Sequence, residues 1–390
     1  MFKSGIINIT FWSERSLAKK TLPMHEVVEN LKSRIGEMPL GDPNFADLRY
    51  QPVKFSVENF HPIKIRDSER TLCYVDGGNA QIACAPNFVV ELARLNFCKF
   101  KGQDRMKSKS LPRSIEFYTV CCTIAEGYSI KYETEFVPVR DKWTKLLPDI
   151  ADLKFDSFDD TLRIGRQRAP IERVSNSART FAEWNLARHL ISEELEEGDI
   201  LVRDGSLQTV VTNESKYANR AYRAAMKKGV IFTGLSKTSS LFTTTGYPLL
   251  SSINELSEST PLKKGSWYYH PIVKITHPDH RAEMFAVKLH DISEYVFRFE
   301  ILRDQFHGMS SKEMESVIGA LAVNAHDIGF PGYPYGLMEA DRLARITGHE
   351  RDSQEVQFMS ASASAGIWDV LLKHVRCVDA HSILNKLAGE

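Results

Sequence analysis

Between residues 178 and 234 the chain repeats one pattern twice: a helix-forming stretch leads straight into a short apolar run. Residues 178–197 carry helical spacing and precede ILVRD at 200–204, and residues 215–228 do the same before VIFTG at 230–234. Strands alternating with helices of this length predict a layered α/β sheet with helices packed on it. The flanks fit that frame. TLCYVDGG, AQIACA, SIEFYTVCCTIAEG and SIKYETEFV are short β-branched and aromatic runs bounded by turn residues, and WYYHPIVKI, AEMFAVKLH and EYVFRFEI predict further strands. From residue 311 the pattern turns helical. Residues 1–70 read as an irregular arm with one helix at 25–35 and a Pro- and Gly-containing stretch at 38–43. The expected organisation is an N-terminal arm to residue 70, suited to docking a partner, a core domain over 71–350, and C-terminal helices over 351–390 packing on that core.

A chain of 390 residues with 43% hydrophobic content can bury a large core. No run approaches the roughly 18 apolar residues that span a bilayer, and the first twenty residues lack the apolar stretch of a secretory signal, so a soluble cytoplasmic protein is expected. The six cysteines at 73, 84, 98, 121, 122 and 377 include no Cys-x-x-Cys pair, which favours buried reduced thiols over a zinc site. Fifty basic and fifty acidic residues exclude a globally basic nucleic-acid coat protein. Charge is nevertheless concentrated locally. Residues 101–113 carry Lys101, Arg105, Lys107, Lys109 and Arg113 against one acid, and residues 163–179 carry five arginines, Arg166 and Arg168 among them, against Glu172. Either stretch could meet phosphates; either reads equally as a solvated loop.

Four acids stand out. Asp76 closes the run Leu72-Cys73-Tyr74-Val75 and precedes two glycines, which predicts a strand-end carboxylate before a tight turn. Asp204 repeats that arrangement at the end of ILVR before Gly205. If those strands are neighbours, the two carboxylates form a site for a hard divalent cation. Glu183 follows from geometry: the helix from 183 to 197 advances about 21 Å and the strand from 199 to 204 returns about 17 Å, bringing Glu183 near Asp204. On the helical wheel it shares an arc with Trp184, Ala187, Leu190, Ile191 and Leu195, so its carboxylate faces packing and needs a partner, either a metal or an arginine of the preceding segment. Glu194 shares that arc but lies at the far end. Asp341 shares a helix face with Leu337 and Ala344, with an ion pair to Arg345 as the alternative. A strand-end Asp, a helix Glu, a strand-end Asp and a C-terminal helix Asp, in that order, form the ribonuclease H-like pattern, a mixed sheet flanked by helices. Four acids suit a two-metal site.

YVDGGNAQ at 74–81, LVRDGSLQ at 201–208, GLSKTSSL at 234–241, FRFEI at 297–301 and GYPYGLMEADRLARI at 332–346 together resemble the NurA nuclease domain over about residues 70–350. The resemblance implies a Mn2+- or Mg2+-dependent 5′ to 3′ DNA exonuclease, often with single-strand endonuclease activity, acting in DNA end processing and double-strand break repair. It implies a homodimer working with a HerA-type hexameric ATPase. It also implies that Asp76, Glu183 and Asp204 hold the metals, with Lys237 facing a phosphate or substrate as a compact positive charge. Asp341 stands where the family commonly has a histidine. That exchange adds negative charge and removes a neutral ligand, while keeping a hard oxygen donor. His326, in the preceding helix as Asn-Ala-His-Asp, could instead fill the role, though it reads first as structural. The first motif is Asp-Gly-Gly where Asp-Gly-Ser is usual, with the aspartate intact.

Two rivals differ in class. An actin-like or sugar-kinase phosphotransferase uses similar strand-end turns, but no second glycine-rich adenosine-binding stretch follows Asp204. A catalytically silent docking subunit has no reason to keep four acids facing inward. In the GYPYG stretch, Tyr333 or Tyr335 could stack on a base, beside a plainer role in a rigid turn.

Overall fold

The computed structural model describes residues 23–35, 38–65 and 69–376. Eleven strands form one mixed sheet: β1 (Phe60–Pro62), β2 (Thr71–Ala85), β3 (Phe88–Lys101), β4 (Asp104–Met106), β5 (Ser114–Glu126), β6 (Ser129–Pro138), β7 (Ile200–Asp204), β8 (Ile231–Ser236), β9 (Trp267–Tyr269), β10 (Ala282–Lys288) and β11 (Phe297–Leu302). Their order is β1-β9-β10-β11-β8-β7-β2-β3-β5-β6, with β4 pairing on β3. Only β7 with β2 and β8 with β7 run parallel; the other pairs are antiparallel. The long meander of β2, β3 and β5 follows from its composition. β5 alternates, burying Ile115, Phe117, Thr119 and Cys121 and leaving the residues between them more open. β3 is covered on both faces and is buried along almost its whole length.

The predicted alternation over 178–234 is present. Helix α2 (Glu172–Glu193) begins six residues earlier than its periodicity suggests, two residues after Pro170 and with Glu172 in its first turn. Helix α3 (Glu214–Lys228) buries Tyr217, Ala218, Ala221, Tyr222 and Ala225 on one face and ends on Gly229 at φ 71°, a left-handed cap. Both helices pack on one side of the sheet, where Phe181, Trp184 and Leu190 meet Cys73, Val75, Leu201 and Phe232. Helices α5 (Ser311–Val323) and α6 (Tyr335–Ala344) cover the other side, where Leu321, Leu337 and Ala340 meet Leu72, Tyr74, Phe100 and Phe299. Successive residues of β2 therefore face opposite layers, odd positions toward α2 and even ones toward α6. Helix α4 (Leu249–Ser257) packs with Trp267 and Tyr269 in a third cluster. Helix α1 (Pro23–Ile35) buries none of its residues. Helices α7 (Gly348–Ser364), started by a Thr347–Glu350 capping box, and α8 (Trp368–Arg376) continue the helical C-terminal region; residues 377–390, also expected to be helical, lie outside the described residues.

Three expectations change. TLCYVDGG and AQIACA are not two strands joined by a turn but one strand of 15 residues running straight through Asp76, Gly77 and Gly78. WYYHPIVKI is broken at His270–Pro271, since proline offers no N–H to a ladder; residues 267–269 stay in the large sheet while Val273–Ile275 pairs with Tyr50–Pro52 in a separate one. Residues 60–62, read as part of an irregular arm, form an edge strand of the main sheet. The five described cysteines are free, and Cys73, Cys98 and Cys121 are buried. No helix among the described residues is long and apolar enough to cross a membrane.

Candidate metal centre

The ladder between β2 and β7 runs from Leu72–Ile200 to Val75–Arg203 and ends there. Asp76 and Asp204 are the next residue on each strand, so the two carboxylates emerge where the parallel strands part, on the α6 side. Helix α6 brings Asp341 to the same point. One carboxylate oxygen from each of Asp76, Asp204 and Asp341 lies within 4.8 Å of the others. Lys237, just beyond β8, extends its ammonium among them. Its Nζ is 2.6 Å from Asp204 Oδ2, 2.6 Å from Asp341 Oδ1 and 3.9 Å from Asp76 Oδ2.

The charge balance follows from that crowding. Burial pushes the Asp76 carboxyl up to about 8, reinforced by the charges of Asp204 and Glu183, while Lys237 pulls the other way. Burial opposes the charge of Lys237, but Asp204, Asp341 and Asp76 outweigh it and raise its ammonium above the usual value. Three hard oxygen donors within 4.8 Å of one another, their charge offset only in part by one ammonium, suit a divalent cation such as Mg2+ or Mn2+.

Glu183 is close by but reaches the site from the opposite face. Its carboxylate lies against Gly77, on the α2 side, and pairs with Arg179 and, at 3.3 Å, with Arg203. Arg203 in turn lies 4.5 Å over the Trp184 ring. Glu183 thus has two arginine partners, one from its own helix and one from the strand that carries Asp204, rather than one from the segment before the helix. The glycines are explained by the same packing. A Cβ at Gly77 would collide with the Glu183 carboxylate, and one at Gly78 with the carbonyl of Ala344 at the end of α6. They permit close approach, and no turn is made there.

Behind Asp204, the loop through Gly205, at φ 101°, is tied down by Glu300 of β11, whose Oε2 accepts the Leu207 N–H at 2.7 Å. Glu300 is fully buried with Arg298, and with His280 at 3.0 Å; His280 meets the Tyr50 hydroxyl at 3.0 Å. Although burial opposes ionisation, Arg298 and His280 hold the Glu300 carboxyl down at about 2. Neither Arg203 nor Glu300 stands out in the sequence as a site residue. The signal available is a lone charge inside an apolar strand, ILVRD and FRFEI.

The expected phosphate-binding residues fare unevenly. Thr71 pairs with Lys101 and Asp76 with Asn96, so Lys101 lies five residues, about 17 Å, along the strands from the carboxylates, and Arg105, opposite Phe100, lies four residues away. Lys101 pairs with Glu69, and the backbone around Lys109 and Ser110 wraps the buried carboxylate of Glu194, to which Lys99 adds a 2.6 Å ion pair. Of the arginine-rich stretch, Arg163 pairs with Asp160, Arg173 with the Leu162 carbonyl, and Arg168 with Ser157 and the Phe158 ring; Arg166 is exposed. Tyr333 is 2% exposed, enclosed by Phe297 and Phe330, and has no face for a base. Its buried hydroxyl has no hydrogen-bond partner among the described residues. Burial first, then Asp204, Asp76 and Asp341, raise it above the usual phenol range. Tyr335 is 38% exposed. His326 lies apart from the acids, bonded to the Ala322 carbonyl and 4.5 Å from the His290 ring.

Fold and site together define a mixed-sheet α/β protein with a cluster of three carboxylates that could hold a metal ion. Residues 70–346 match the NurA domain, and with that match covering most of its length the chain belongs to the NurA family of nucleases. No curated protein sequence matches it. Among solved structures, it is similar to endonuclease V of Ciona intestinalis, at 10% identity and a TM-score of 0.31, over 83% of this chain and 96% of that one. It is also similar to Argonaute of Aquifex aeolicus, at 8% identity and a TM-score of 0.29, over 72% of this chain but only 29% of that one. Likeness at this level carries no argument.

Proposed function

We propose that the chain is a metal-dependent deoxyribonuclease with a ribonuclease H-like core over about residues 71–350, and that Asp76, Glu183, Asp204 and Asp341 form a two-metal site for Mn2+ or Mg2+. The observation that carries the reading is the convergence of three carboxylates within 4.8 Å, closed by Lys237. The strand order supports the fold reading: an antiparallel meander, β2, β3 and β5, extended on the other edge of β2 by the parallel strands β7 and β8, with α2 and α3 as crossovers.

Bound divalent cations would supply Lewis acidity at the phosphodiester and lower the pKa of water. Asp76, Asp204 and Asp341 would hold them, with Glu183 contributing once it turns from Arg203. Lys237, displaced from between Asp204 and Asp341, is left as a compact ammonium beside the substrate phosphate, where it offsets charge developing in the transition state. The turn held by Glu300 fixes Asp204 before substrate arrives, while Arg203 and Arg179 hold Glu183 on the α2 side until it turns. The 5′ to 3′ polarity, the single-strand endonuclease activity, the homodimer, the HerA-type ATPase partner and the role in DNA end repair follow from the family resemblance; the N-terminal region to residue 70 is the proposed docking element.

The test is degradation of DNA labelled at either the 5′ or the 3′ end, with Mn2+, Mg2+ or EDTA, by the wild type and Asp204→Asn. Metal-dependent cleavage that the variant loses while folding normally is the expected outcome. Wild-type cleavage by the variant overturns the site. No cleavage by either, with and without the ATPase, overturns the nuclease reading.

A further inference from the structure

Helix α6 carries Asp341 into the metal centre, and its outward face continues away from that centre as a charged stripe. At about 100° per residue, with Asp341 as origin, Arg345 lies about 40° around the helix, Arg342 about 100°, Tyr335 about 120° and Glu339 about 160°. Leu337, Ala340 and Ala344 occupy the opposite, buried side. The stripe thus runs from a metal-site carboxylate, across two arginines and a tyrosine, to a buried glutamate.

Glu339 is more than neutralised. Arg105 pairs with it directly, and two further guanidiniums stand just outside hydrogen-bond distance, Arg113 at 3.8 Å and Arg342 at 3.9 Å. Arg105 supplies the close ion pair and the Tyr335 hydroxyl a hydrogen bond, while Arg113 and Arg342 are gathered there by charge without a hydrogen bond to Glu339. Their side chains are 62% and 68% exposed, and that of Arg345, which pairs with Asp341 at 3.3 Å, is 71% exposed. Tyr335 stands among them, its ring fixed at 84° to that of Phe100. Arginines with donors to spare and an anchored, part-exposed aromatic ring match the chemistry of a single nucleic-acid strand: phosphates for the guanidiniums and a base for the ring. An acidic protein surface would use the arginines but leave the ring unexplained.

We propose that the outer face of α6 is the track along which a single DNA strand reaches the metal centre, with Arg342, Arg345 and Arg113 on its phosphates and Tyr335 stacked on a base. The proposal rests on the nuclease reading and assigns the path of its substrate.

Binding of a fluorescent 20-residue oligodeoxythymidylate is measured in EDTA over a series of salt concentrations, for the wild type, Arg113→Ala/Arg342→Ala, Tyr335→Ala and Tyr335→Phe. Mn2+-dependent hydrolysis of bis(p-nitrophenyl) phosphate, which needs the metal centre but no track, is measured in parallel. The double variant is expected to weaken binding roughly tenfold and to flatten the salt slope by about 1.4, about 0.7 for each phosphate left without its guanidinium. Tyr335→Ala is expected to weaken binding roughly tenfold and Tyr335→Phe to leave it unchanged. Hydrolysis of the small ester should be the same in all four proteins. Oligonucleotide affinity and salt slope unchanged in the double variant, as a patch serving a protein partner would give, overturn the track. So does a wild type that hydrolyses the ester but binds no oligonucleotide. Absence of both activities in the wild type instead overturns the nuclease reading.

Discussion

The excess of negative charge at the centre has a thermodynamic signature that can be read without DNA. The folded protein holds the Asp76 carboxyl at about 8, against an ordinary value of 3.8, because it is buried beside Asp204 and Glu183. A carboxyl raised on folding contributes stability that is fully present below its unfolded value and is lost as pH rises through the folded one. At pH 7 the unfolded chain ionises Asp76 and the folded chain keeps it protonated, a handicap of about 4 kcal/mol over three pH units, approaching 6 kcal/mol by pH 9. Asp76→Asn removes the titration while keeping the shape. In EDTA, urea denaturation should find the variant more stable than the wild type by several kcal/mol at pH 7, with the gap widening from pH 5 to pH 9. Adding Mn2+ should narrow the gap, since the cation stabilises the wild type by about 2.7 kcal/mol at a hundred times its dissociation constant and has less to bind in the variant. Equal stabilities in EDTA at pH 8, or parallel pH slopes, would refute the reasoning that burial and like charge dominate at Asp76.

Two further outcomes are expected. Gly77→Ala drives a methyl into the Glu183 carboxylate, so cleavage should fall at least tenfold for a stability loss of about 1–3 kcal/mol, checked by steady-state kinetics beside circular dichroism; full activity would show that the position of Glu183 is immaterial. Glu300→Gln leaves Arg298 buried against a neutral partner and should cost about 3–5 kcal/mol at pH 7. Because Glu300 is held at about 2, below its ordinary 4.5, that gap should close as pH falls from 4.5 toward 2, and a gap unchanged by acid would count against it.

The helices and parallel strands over 172–236 are legible in sequence because their periodicity is local. The return of Glu183 toward β7 is legible too, since helix rise and strand rise fix it. The setting of Asp76 is not, because Asp-Gly-Gly is a turn signal when read locally. The reason for the glycines, a carboxylate on α2 and a carbonyl ending α6, lies far along the chain. Lys237 announces itself as a lysine in a motif, but nothing local places its ammonium between Asp204 and Asp341. The basic cluster at 101–113 can be counted, yet only the register of β2 against β3 separates Lys101 from the carboxylates, and only that of β5 against β3, with Ser114 opposite Asn96, places Arg113. A charge inside an apolar strand, as at Arg203 and Glu300, is a better marker of the site's supports than the dense charge of the loops.

Past Val75, β2 loses its parallel neighbour, and the edge so exposed is the kind onto which a stray strand adds. Two groups already described occupy it. Arg179 donates to the Gly77 carbonyl at 3.0 Å, and the Asp76 carboxylate accepts the Gly77 N–H at 2.7 Å. A sheet that splits to make room for a substrate also opens a seam that other chains could close. Here the side chains that orient Glu183 and would bind the cation also occupy that seam, so a lesion at Arg179 threatens solubility as well as catalysis.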